Sequence, residues 1–117
     1  MGWIENDEGA VLLVRQAVGR KFWTLPGGKV RTSESLERAL KREIREETGL
    51  NVATARYRQI YDRPKHGAIT LLFSVSVKRN SGPIHFPVGE IADLGFFTQL
   101  ATNATPSAKF FWASRSH

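Results

Sequence analysis

Gly28-(x5)-Glu34-(x7)-Arg42-Glu43-Ile44-x-Glu46-Glu47-x-Gly49-Leu50 is the stretch that decides how this chain is read. Seven of its positions hold one particular residue and two hold an aliphatic. At roughly one in fifteen per required residue, chance fills such a segment on the order of once in 10⁹ starting points. Ser35 is placed to cap a helix, Leu36 to Thr48 contains no Gly or Pro, and Gly49 stands where a helix turns left-handed and stops. The spacing therefore predicts a helix over Leu36–Thr48. At about 100° per residue, Leu36, Ala39, Leu40 and Ile44 fall on one arc roughly 140° wide. Glu43 and Glu47 lie inside that arc and Glu46 at its edge, while Arg38, Lys41, Arg42 and Arg45 share the other side with Glu37. An amphipathic helix ordinarily keeps its carboxylates on the wet face. Acids crowded toward the buried face repel one another and lose hydration. A hard divalent cation, Mg²⁺ or Mn²⁺, relieves both problems. A solvated acidic stripe with i,i+4 partners such as Glu37 and Lys41 is the alternative, and it leaves Glu43 and Glu47 unexplained.

Ahead of the helix stands Trp23-Thr24-Leu25-Pro26-Gly27-Gly28-Lys29-Val30. Pro fixes one dihedral and paired Gly opens backbone conformations closed to other residues, so the chain can approach a metal or a phosphate closely here. Taken alone, Pro-Gly-Gly is an ordinary tight turn. Trp23 reads as a packing aromatic. Together, the turn and the motif after it resemble the loop and box of the Nudix hydrolases, with every signature position filled.

The resemblance implies an α/β fold, the Nudix α/β/α sandwich with a mixed sheet flanked by helices, and cleavage of a nucleoside diphosphate linked to another group by water attack at phosphorus. It implies that Glu46 and Glu47 ligate divalent cations, with Glu43 as a further ligand or as the base, and that the Gly27 carbonyl is also a ligand. Arg42 would orient Glu43 or Glu47 by charge-assisted hydrogen bonds. Glu34 would be a minor metal-shell or loop-holding residue, and Gly28 and Gly49 would serve the backbone. Neutralised phosphate charge and positioned water are what such a reaction needs, which suits acids and Gly better than a Ser, Cys or His nucleophile. The base varies within the family, so Glu43, Glu46 and Glu90 are all candidates. Glu90-Ile91-(x4)-Phe96-Phe97 resembles an acid followed by an aromatic strand that adds a metal ligand or base in some members; a surface carboxylate is the alternative. Arg15 stands where several members carry a phosphate-binding Arg.

Length and composition fit one domain over residues 1–117, with 41% hydrophobic residues to build a core. No run of about 18 apolar residues predicts a membrane span, and no signal peptide opens the chain. Zero Cys excludes disulfides, thiol catalysis and Cys-ligated zinc, and suits the cytoplasm. The net charge of +6 raises the local concentration of polyanions, nucleotide or RNA, without separating the two. No RNA-module signature is present. A nucleotide-type small molecule is the expected partner, with RNA and a homodimer left open.

The coarse order of elements agrees with that fold. Gly2 to Glu5 reads as a strand stub, Asn6–Gly9 as a turn, Ala10–Arg15 as a strand and Phe22–Leu25 as a short extended piece. After the helix, Ala53–Tyr61 and Ala68–Arg79 read as strands joined by the Asp62–Gly67 loop. In the second, Ile69, Leu71, Phe73, Val75 and Val77 form an apolar face, alternating with Thr70, Leu72, Ser74, Ser76 and Lys78. Asn80–Pro83 is an expected turn, Gly95–Thr98 a short strand and Pro106–Ser114 a closing helix. The first strand begins at Met1 and the last helix is short, which raises a truncated chain as an expectation. Arg63, Lys65 and His66 read as a solvated loop, and His85 and His117 as surface residues. Pro64 lies near where ADP-ribose-cleaving members carry a Pro, a slight lean toward ADP-ribose or a nucleotide-sugar beside nucleoside triphosphates. Tyr57 and Tyr61 fall short of the Tyr position of dinucleoside polyphosphate hydrolases. An RNA 5′-end pyrophosphohydrolase and a non-catalytic nucleotide-sensing module are the other readings.

Overall fold

The computed structural model describes residues 1–79, 81, 84–85 and 89–115. Its elements run β1 (Gly2–Trp3), β2 (Val11–Gln16), β3 (Trp23–Thr24), α1 (Leu36–Thr48), β4 (Val52–Arg63), a 3₁₀ turn (Pro64–His66), β5 (Ala68–Val77), β6 (Ile91–Phe97) and α2 (Pro106–Ala113). Helix α1 forms over the span its spacing predicts. Ser35 Oγ accepts the Arg38 N–H at 3.1 Å. Gly49, at φ 77°, returns its N–H to the Arg45 carbonyl at 2.9 Å, so both helix ends are closed by the residues that signalled them.

The expected mixed α/β arrangement is present, with the strands divided over two three-stranded sheets, β1-β5-β4 and β3-β2-β6. β1 runs parallel to β5 and β4 antiparallel to it, while the second sheet is antiparallel throughout. A bridge between Glu5 and Val11, and the Leu12 N–H on the Ile4 carbonyl, tie the sheets together. The helices cover opposite sides. Leu40 and Ile44 of α1 share a core cluster with Ile4, Leu12, Val52 and Val75, and Phe111 of α2 shares another with Trp3, Val11, Leu13, Leu25 and Leu72.

β5 lies between these layers, and two expectations are corrected there. Leu72, assigned to the polar face, is 0% exposed and belongs to the α2 cluster. A strand covered on both sides is buried on both sides, so simple alternation under-reads it. Leu36, assigned to the apolar arc of α1, is 49% exposed, because the sheet residues opposite the first turn of the helix leave an open groove. Strand ends also shift. β4 reaches Arg63, leaving only a 3₁₀ turn of the expected loop. β6 begins at Ile91 because it pairs with β2 along its whole length, from Val11 opposite Phe97 to Gln16 opposite Ile91. Of the expected Asn80–Pro83 turn, Ser81 alone is described, its N–H on the Lys78 carbonyl at 3.1 Å. His85 is exposed, with its N–H on the Thr48 carbonyl at 3.0 Å, and His117 lies outside the described residues. No helix among the described residues is long and apolar enough to cross a membrane.

Ile44 is 0% exposed, so Ile44→Ala should cost roughly 2–5 kcal/mol in urea unfolding. Leu36→Ala, at the groove, should cost about 1 kcal/mol or less. Equal losses would restore Leu36 to the core.

Candidate functional site

The Pro26-Gly27-Gly28 turn closes on α1 at two carboxylates. Gly27, at φ 127°, occupies a backbone region that strains other residues, and a Cβ there would approach Met1 Cα to 2.9 Å. Its N–H donates to Glu47 Oε1 at 2.7 Å. A Cβ on Gly28 would stand 2.7 Å from the Glu43 carboxyl carbon. Gly28 thus leaves room for the Glu43 carboxylate, while Gly27 is required by its φ and by the close approach of Met1.

Arg42 gathers the remaining acids. Its Nε and Nη2 donate to Glu34 at 2.7 and 2.9 Å, and its Nη1 to Glu43 at 2.8 Å and to Glu46 at 3.3 Å. Nη2 also reaches the Lys29 carbonyl at 3.1 Å. Glu34 Oε1 accepts the Arg31 N–H at 3.0 Å, which fastens the loop before the helix. These bonds, Arg42 first and Arg31 second, hold the Glu34 carboxyl down at about 2, and hydrogen bonds to Glu34 first and Glu43 second raise the Arg42 guanidinium above its ordinary value. Glu46 is more open, with the Arg31 guanidinium at 3.9 Å.

Glu47 behaves in the opposite way. Burial pushes its carboxyl up to about 7; the Gly27 N–H opposes this, and the charges of Glu43 and Glu90 add to it. Glu90 is exposed, its own carbonyl accepting the Ala17 N–H at 3.1 Å, and its charge bears on the same carboxyl as Glu43 does. The Met1 amino group, donating to the Leu71 carbonyl at 2.9 Å, is lowered to about 6 by burial, with Glu47 partly offsetting.

Among the described residues, no three acidic or histidine side chains stand close enough to hold a metal ion as they are. The positive group between Glu34, Glu43 and Glu46 is the Arg42 guanidinium. The donor set still fits a hard cation. It is all oxygen, it already converges on a positive charge, and Glu47 carries a like-charge and desolvation burden that a cation would remove.

Arg15, the expected phosphate contact, lies near the end of β2. It pairs with Trp23 across β2 and β3, on the face where Trp23 meets Phe97 edge-on at 4.9 Å. That is the α2 side, away from the acids of α1, and Arg15 Nε donates to the Lys21 carbonyl at 3.3 Å. Trp23 is a packing residue. Arg63, Pro64, Lys65 and His66 form the tip of the β4–β5 hairpin, with the Arg63 guanidinium 5.9 Å from the Tyr61 ring centre.

A groove of about 530 Å³ begins at Gly27 and Gly28. It runs between Leu36, Ala39 and Leu40 of α1 and Ile69, Leu71 and Phe73 of β5. The sequence marked these residues as apolar without indicating that part of the β5 face is left open. On the outer side of Glu46 a second groove, about 430 Å³, is lined by Lys41, Arg42, Arg45 and Lys78 among others.

Two variants test this geometry. The folded-state value of Glu47, about 7, lies above its ordinary 4.5, so without metal the folded chain keeps a proton that the unfolded chain has released. Stability should therefore fall as pH rises through that window. The Met1 amino group acts in the opposite sense between about 6 and 8 and is coupled to Glu47, so the difference between Glu47→Gln and the parent reads the carboxylate together with its effect on Met1. In urea with a chelator, that difference should grow in favour of the variant by on the order of 2–3 kcal/mol from acid to mildly basic pH. A pH-independent difference would mean that Glu47 titrates as in water. Gly28→Ala should fold normally but push the Glu43 carboxyl aside, lowering any hydrolytic turnover about 10²-fold; turnover within about twofold of the parent would show the close approach to be dispensable.

Comparison with known proteins agrees with this architecture. A family model described as the NUDIX domain matches residues 1–111. The putative 8-oxo-dGTP diphosphatase of Bacillus subtilis is 45% identical over 60 residues, covering 51% of this chain and 40% of that protein. The 8-oxo-dGTP diphosphatase of Haemophilus influenzae is 32% identical over 101 residues, 84% of this chain and 72% of that protein. The solution structure of the Escherichia coli ORF135 protein superposes with a TM-score of 0.68 at 28% identity, covering 98% of this chain and 87% of that one. The match thus spans about two fifths of the first relative and nearly three quarters of the second. With the motif complete and the family model matching almost end to end, the chain belongs to the Nudix family.

Proposed function

We propose that this chain is a metal-dependent pyrophosphohydrolase acting on nucleoside triphosphates. The observation that carries the reading is the pair of carboxylates, Glu43 and Glu47, seated against the Gly27-Gly28 turn at the mouth of a nucleotide-sized groove. The two relatives described above bear a triphosphate substrate in their names, which favours this class over ADP-ribose or a nucleotide-sugar. Pro64, the residue behind that lean, sits at an exposed hairpin tip and is not among the groove's lining.

In this reading Glu43, Glu46 and Glu47, with the Gly27 carbonyl and Glu90, hold Mg²⁺ or Mn²⁺. The cation, when bound, neutralises charge on the phosphoryl oxygens and makes water more acidic. The chain's own groups do the rest. The groove places the nucleoside so that its phosphates reach Gly28. Water attacks one phosphorus, a new P–O bond forms, and the bond to the bridging oxygen breaks with its electrons leaving on pyrophosphate. The water's proton passes to a carboxylate, Glu43 or Glu46, both of which Arg42 holds in the metal-free chain. Were these acids given over to a cation, Arg42 would still have Glu34 as its bidentate partner.

Turnover should appear with Mg²⁺ or Mn²⁺ on nucleoside triphosphates, with ¹⁸O from labelled water in a phosphate-containing product. Glu43→Gln and Glu46→Gln should each lower kcat by at least about 10²-fold, and Glu46→Gln or Glu47→Gln should weaken Mn²⁺ binding in calorimetry. Nucleotide binding without turnover on triphosphates, ADP-ribose, dinucleoside polyphosphates or 5′-triphosphate RNA would make the chain a sensor.

A further inference from the structure

The groove does not stop at its own walls. Register places Tyr57 opposite Phe73, Ile60 opposite Leu71 and Asp62 opposite Ile69, so these residues share the α1 side of the sheet. Tyr57 meets Phe73 edge to face at 6.2 Å between ring centres. Tyr57 is 60% exposed and Ile69 65%, unusually high values for large apolar side chains on a paired sheet. An apolar shelf thus runs outward from the groove, starting at the ring that would meet a nucleobase.

What the shelf can recognise follows from its chemistry. Among the described residues lining the groove, the polar side chains are Lys29 and Thr70. Lys29 adjoins Gly28 at the phosphate end, and Thr70 pairs with Tyr61 on the opposite face of the sheet. β5 is the central strand, and at Phe73 its main chain is engaged by β1 on one side and by β4 on the other. The far end carries the acid Asp62, which disfavours a further phosphate there. A flat, uncharged group continuous with the nucleoside is the occupant this surface suits.

We propose that Tyr57 and Phe73 form an open stacking shelf for the nucleobase, so that this protein selects nucleotides by aromatic area and not by the hydrogen-bonding edge of the base. The inference rests on the proposed use of the groove by a nucleotide. Stacking of a base on an aromatic side chain tolerates every base but favours the larger ring system.

Calorimetric binding of nucleoside monophosphates tests this independently of turnover, since they are products and are not hydrolysed. With Mg²⁺ present, AMP should bind about tenfold tighter than CMP, and dGMP and 8-oxo-dGMP, equal in ring area and different at the edge, within about threefold of each other. Tyr57→Ala should weaken AMP binding about tenfold while Tyr57→Phe retains it. Discrimination between dGMP and 8-oxo-dGMP of tenfold or more, AMP binding unchanged in Tyr57→Ala, or no binding of any of the four would overturn the proposal. So would sedimentation showing a dimer that Tyr57→Ala dissolves, because the shelf would then be covered by a second copy. Should triphosphates fail to turn over while AMP and CMP rank as expected, the hydrolase reading falls and the shelf stands.

Discussion

One guanidinium organises the site: Arg42 is hydrogen-bonded to Glu34, Glu43, Glu46 and the Lys29 carbonyl at once. Without it, carboxylates on neighbouring turns of α1 would repel one another, and the loop before the helix would lose its anchor through Glu34. Lys could supply the charge but not a planar fork able to serve so many acceptors. Glu47 is the exception. It lies outside the Arg42 network, its N–H partner on the Gly27 turn does not offset its burial, and its carboxyl rises to about 7. An arrangement so costly to the bare protein is expected where a ligand supplies the missing charge.

Much of this was legible in the sequence because it is local. The helix ends depend on Ser35 and Gly49, the half-burial of Glu43 and Glu47 on a period of about 3.6 residues, and the turn on paired Gly. Each is decided within a few residues of chain. Features that depend on what lies opposite were not legible. Leu72 has a polar pattern around it and is buried because α2 covers that face, while Leu36 has an apolar pattern and is open because the sheet is not covered at its end. Arg15 sits at the end of an apolar strand, but which side it takes follows from its pairing with Trp23. The length of β6 follows from its pairing with β2, which its own composition does not reveal.

The same distinction separates chemistry from specificity. The acids and glycines that would handle phosphate form one contiguous segment and announce themselves together. The residues that would meet a base, Phe73 and Tyr57, come from two strands and become neighbours only through the β4–β5 register. Basic charge is likewise distributed. Four of the chain's acids, Glu34, Glu43, Glu46 and Glu47, are committed to the site, so the remaining surface is more positive than the net charge of +6 suggests. Lys41, Arg45 and Lys78 around the outer groove are one place where that excess gathers.

If the acids of α1 form a cation site whose place Arg42 fills in the bare protein, anomalous diffraction from crystals grown with Mn²⁺ should show a peak among the carboxylates of Glu43, Glu46 and Glu47, with Arg42 still on Glu34. Mn²⁺ bound elsewhere or nowhere, with Glu43 and Glu46 still on the guanidinium, would show that these acids are not a cation site.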